Sequence, residues 1–115
     1  MKIRIVTEKE LRQCVTIDQD AFNAVSQGYS LFSQGKATQP PIMHIDVHDQ
    51  NGSLDVKTAY IHGLERFAVK IASGFQGNRQ KGLPTGCGIM IVYSALTGFP
   101  EAFLLDNIYL TSVRT

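Results

Sequence analysis

In the stretch FAVKIAS, alternation sends Phe67, Val69 and Ile71 to one side of an extended chain and Ala68, Lys70 and Ala72 to the other. A lysine flanked on its own face by two alanines has room around its ammonium group, which suits an incoming anion such as a substrate carboxylate. The same pattern also describes a solvated lysine on the wet face of a half-exposed sheet. A second group lies upstream in IMHIDVH, where His44, Asp46 and His48 alternate and so share a face. Imidazole and carboxylate suit a divalent metal. A further ligand set is missing from the sequence, and the plain reading is a polar strand face with no metal.

Other chemistry finds less support. The glycine-rich GFQGNRQKGLPTGCG leads into the apolar run IMIV rather than opening a helix, and Lys81 is followed by Gly82, so neither a dinucleotide fingerprint nor a phosphate loop is formed. Cys87 and Ser73 have glycine neighbours but no base at a telling spacing. Charged residues make up 18% and hydrophobic ones 43%, which favours one folded domain over a disordered chain. A net charge of +1, without basic clusters, gives no footprint for nucleic acid or an anionic membrane. The start MKIRIVTEKE has no apolar signal region, and no apolar run is long enough for a membrane span. Cys14 and Cys87 lie far apart, as in a reduced cytoplasmic protein.

These residues need elements to hold them. Thr7 and Glu10 have capping-box spacing, which predicts a short helix over about Glu8 to Val15. A second start at Thr16 to Asp18 precedes a stripe of Ala21, Phe22, Val25, Tyr29 and Phe32, with Gly35 placed as a C-terminal cap. After Pro40-Pro41 the period becomes two. IMHIDVH, LDVKTAYI, FAVKIAS, GIMIVYSA and EAFLLDN read as strands, with turns at Asn51-Gly52, His62 to Glu65 and Thr97-Gly98. Two N-terminal helices followed by a mainly antiparallel sheet of five or six strands make an α+β domain over residues 1–115. Thr111 reads as the N-cap of a last helical turn, Ser112 to Thr115.

Taken together, DVKTAYI, FAVKIASGF, GLPTGCGIMIV and LLDNIYLTSVRT resemble, in order and across essentially the whole chain, the first part of the ornithine cyclodeaminase/mu-crystallin family. The resemblance implies a substrate-binding and dimerisation domain, which in full-length members precedes a Rossmann domain for NAD(P). It implies that Lys70 contacts the substrate carboxylate near the reacting carbon and that Arg114 pairs with the same group. Thr85 is implied to lie near nicotinamide and substrate, giving Thr85 and Arg114 cofactor-side roles as well. Guanidinium and ammonium groups suit such a grip. The implied partners are a small amino or imino acid and a second copy joined through the sheet. The implied family chemistry is hydride transfer at an amino-acid Cα–N bond, used by cyclodeaminases, imino-acid reductases and amino-acid dehydrogenases.

The sequence departs from the family in several places. Many members carry an arginine on the first strand of the sheet, where His44 is the substitute here. Ornithine cyclodeaminases proper have glutamate where Lys57 stands. Ile108 and Ser112 replace the usual glycine and aspartate in the last block. No residues remain to supply the Rossmann sheet, so the expectation is a truncated chain, inactive alone and binding no NAD(P) by itself. A non-catalytic amino- or keto-acid-binding module and a degenerate fragment are the alternatives.

Overall fold

The computed structural model describes residues 2–15 and 18–107. The expected turn at Thr111, and Arg114 within it, lie outside the described residues. The chain opens with β1 (Arg4–Thr7), α1 (Glu8–Cys14) and α2 (Gln19–Ser33). The strands β2 (Ala37–Thr38), β3 (Met43–Val47), β4 (Gly52–Ile61), β5 (Arg66–Phe75), β6 (Gly86–Ser94) and β7 (Pro100–Leu105) follow. The described residues make an α+β fold without a Rossmann unit.

Both helix starts have local causes. The Thr7 hydroxyl accepts from the Glu10 N–H at 3.3 Å, and the Glu10 carboxylate accepts from the Thr7 N–H at 3.1 Å. Asp18 caps α2 by accepting from the Ala21 N–H at 3.0 Å. Arg12 reaches back one turn to Glu8 at 2.7 Å, where its guanidinium lowers the carboxyl's pKa.

The sheet has seven strands in the order β1-β7-β6-β5-β4-β2, with β3 also paired to β4. Strands β3 to β7 form antiparallel hairpins, as the turn signals predict. Asn51 adopts a left-handed conformation, φ 50°, after a 3₁₀ turn over His48–Gln50 and so completes the β3–β4 connection. Gly52 then lies under the Phe75 ring, and a Cβ there would sit 2.4 Å from ring carbons.

β1 was not expected. RIVT pairs in parallel with β7, Arg4 opposite Ala102 and Thr7 opposite Leu105. It is too short, and too far in sequence from its partner, to announce itself through a hairpin.

The two faces of the sheet differ in chemistry. One carries Met43, Ile45, Leu54, Val56, Val69, Ile71, Ile89 and Ile91, with Tyr60, Phe67 and Tyr93 forming a row of rings. Phe67 and Tyr93 stack at 5.6 Å. Much of this face lies open: Met43 is 67% and Ile45 60% exposed, while Leu11 is the buried apolar residue among those described. The radius of gyration is 15.5 Å, against about 13 Å for a closed domain near this size.

Candidate functional site

The opposite face carries the polar residues. Lys70 stands in the middle of β5, directly opposite Lys57 on β4 and Met90 on β6. Ala68 and Ala72 flank it on the same face, as alternation requires, and the strand is half-buried around it. One row along, Asp55 opposes Ala72, and Ala72 opposes Gly88. The row beyond holds Ser53, Gly74 and Gly86. Small residues therefore line the sheet on one side of Lys70, with Gly88 buried in the row beside it.

His44 lies on this face opposite Asp55. Its Nδ1 is 2.5 Å from Asp55 Oδ1, and its Nε2 is 2.9 Å from Asp46 Oδ1. A neutral imidazole donates from one nitrogen, whereas imidazolium donates from both, so two carboxylates match the charged form. The hydrogen bond to Asp55, then that to Asp46, raises the His44 pKa above the ordinary 6.5. Both ring nitrogens are thus engaged by acids of the chain itself. His44 also lies about 12 Å from Lys70, two strand spacings across and two residues along.

Thr85 precedes β6, and its carbonyl accepts from the Phe75 N–H at 2.7 Å. It therefore sits at the end of the β5–β6 ladder, roughly 16 Å along the strands from Lys70. The structure gathers Lys70, Lys57 and Asp55 into neighbouring positions, sets His44 behind Asp55, and leaves Thr85 at the sheet's end. His48 corrects the reading of a three-member polar strand face, because β3 ends at Val47 and His48 opens the 3₁₀ turn. Among the described residues, no group of three or more His, Cys, Asp or Glu is arranged to hold a metal ion.

Asp55 and Lys57 were missed as site residues by the sequence reading. Their signal was the Asn51-Gly52 turn, since fixing that hairpin's register puts Asp55 against His44. The next hairpin puts Lys57 against Lys70.

The pattern of the ornithine cyclodeaminase/mu-crystallin family matches residues 1–115. The chain belongs to that family. It is 47% identical over 114 residues to an uncharacterised cyclodeaminase of Sinorhizobium fredii, covering 98% of this chain and 34% of the relative. It is 36% identical over 115 residues to alanine dehydrogenase of Archaeoglobus fulgidus, covering 100% of this chain and 34% of that protein. An archaeal alanine dehydrogenase dimer with bound NAD superposes with a TM-score of 0.88 at 33% identity, over 99% of this chain and 34% of the other. The Δ(1)-pyrroline-2-carboxylate reductase of Thermococcus litoralis, solved with NADH and L-proline, shares the fold. Its TM-score is 0.89 at 24% identity, with 96% of this chain and 34% of that chain covered. The chain spans about a third of the length of these family members.

The solved relatives hold NAD or NADH. Among the described residues, the glycine-rich stretch does not form the dinucleotide-binding turn for that group. The glycine-rich stretch runs through a 3₁₀ segment, Gln76–Lys81, into β6, so it presents no strand-to-helix turn to a pyrophosphate. No hydride step is assigned to these residues.

Proposed function

We propose that this chain is the substrate-binding and dimer-forming portion of a family member acting on a small amino or imino acid. Lys70 carries the reading: it stands between two alanines on a half-buried, small-residue face, in a chain that the family pattern matches over residues 1–115. Its ammonium group supplies a positive charge for the substrate carboxylate. Arg114 is the proposed second donor to that carboxylate, and Thr85, at the sheet's end, the residue on the nicotinamide side. His44 serves from behind, through Asp55, rather than by touching the carboxylate.

The apolar sheet face is the proposed dimer surface. Side chains such as Met43 and Ile45 are too exposed and too numerous on one face to be scattered surface residues. A two-fold pairing of that face with itself would bury them. Redox chemistry is assigned to the rest of a full-length family member, which would bring NAD(P).

Calorimetric titration with L-alanine, L-proline and pyruvate tests the carboxylate site. Binding is expected to weaken by about tenfold or more in Lys70→Ala, the size of one charge-assisted hydrogen bond. Unchanged binding in a folded Lys70→Ala protein places the site elsewhere.

A further inference from the structure

The sequence scatters its cations, and the fold gathers three of them. β1 pairs with β7 so that Arg4 lies opposite Ala102, and Ala102 in turn lies opposite Val92. Arg66 opens β5 opposite Ser94, one row further along the same face. Arg4 and Arg66 thus stand about 16 Å apart at Cα, three strand spacings across and two residues along. Between them lies a groove of about 590 Å³, with half-buried Val92 and Ala102 at its floor and Lys2, Arg4, Arg66 and Glu101 at its rim.

The acid of this groove is placed by an irregularity. Val92 opposes Ala102 whereas Tyr93 opposes Pro100, so Glu101 is the extra residue of a β-bulge. Bulges re-aim side chains, and this one brings Glu101 to Arg66, whose Nε donates to its Oε1 at 2.8 Å. A guanidinium has five N–H donors, more than one carboxylate takes. Lys2 and Arg4 are exposed, and neither forms an ion pair among the described residues. Glu10 on α1 is the other acid that senses Arg4. Its carboxyl pKa is lowered first by hydrogen bonds from Thr7 and then by the Arg4 charge, and Thr7 already engages its oxygen. Three cations against one groove carboxylate leave two positive charges facing each other over small side chains.

We propose that this groove binds a phosphate monoester, with the phosphate held between Arg4 and Arg66 and the organic part lying over Val92 and Ala102. A monoester phosphate carries about −1.5 to −2 charges near pH 7, which matches the two left over. Guanidinium groups grip such oxygens in pairs, and Lys2 adds a point charge. The site does not depend on the reading of Lys70. Because Arg4 belongs to β1 and Arg66 to β5, the ligand also ties the first strand to the middle of the sheet.

The test is calorimetry on the full chain with phenyl phosphate and inorganic phosphate, using wild type, Arg4→Gln, Arg66→Gln, Lys70→Gln and Lys81→Gln. Arg4→Gln and Arg66→Gln should each weaken phenyl phosphate about tenfold, as loss of a charge-assisted hydrogen bond does. Lys81→Gln removes a charge elsewhere and should change nothing. Inorganic phosphate lacks the organic part and should bind at least about threefold more weakly. Phenyl phosphate should also raise the midpoint of thermal unfolding in wild type, and the arginine variants should lose that shift. If Arg4→Gln loosens β1, Arg66→Gln still decides. The proposal is overturned if wild type does not bind, if Lys81→Gln costs as much as the arginine variants, or if the two phosphates bind equally. Binding lost in Lys70→Gln but kept in Arg66→Gln also overturns it, by placing the anion at the carboxylate site.

Discussion

His44 has two carboxylates and can satisfy both only as a cation. The consequence is a titration with a defined sign. Its folded pKa is raised, so the stabilisation from Asp55 and Asp46 is fully present below about pH 6.5 and is lost as pH rises through the raised value. Following the imidazole protons by NMR should give a midpoint above 6.5, and Asp55→Asn should bring it down more than Asp46→Asn. A midpoint at or below 6.5 in the folded protein would show that the carboxylates do not hold the charged ring. At this scale Lys70 was legible in the sequence, because its surroundings depend only on alternation within one strand. The placement of Lys57 and Asp55 beside it was not, because it depends on register across two successive hairpins.

Among the elements, the β3–β4–β5 unit sets that register, and its tightest point is Gly52 beneath Phe75. Gly52→Ala would set a methyl against the Phe75 ring and should cost about 1–3 kcal/mol, as overpacking does. Denaturant unfolding measures it, and the double variant with Phe75→Leu should recover part of the loss. A neutral Gly52→Ala would mean that the ring moves aside freely. Helices and hairpins were readable because each advertises itself locally: the Thr7–Glu10 capping box, the α2 stripe and the turn at Asn51-Gly52. β2 has only two residues, and β1 finds its partner at the other end of the described chain. Neither carries a local signal strong enough to be seen.

For the whole molecule, the ledger of apolar surface is unbalanced. The sheet's apolar face is open, and α2 buries none of its residues completely. The reading of a self-pairing sheet predicts a sedimenting species of twice the 12.7 kDa chain mass. Ile45→Lys should shift it towards monomer. A wild type that sediments as a monomer at high concentration removes that reading. The family fold was legible across the chain from four ordered blocks, because each keeps its order and spacing over residues 1–115.

The parallel pairing of β1 with β7 has a consequence for how the chain reaches this structure. Residues 4–7 are synthesised first but have no ladder to join until residues 102–105 have emerged. The central hairpins, whose contacts are local, can form earlier. Docking of β1, and of α1 directly behind it, is then a late event of high contact order. Until it happens the outer edge of β7 presents unpaired N–H and C=O groups, the kind of edge on which chains aggregate. Residues 4–7 are thus expected to close on β7 like a latch, late in folding.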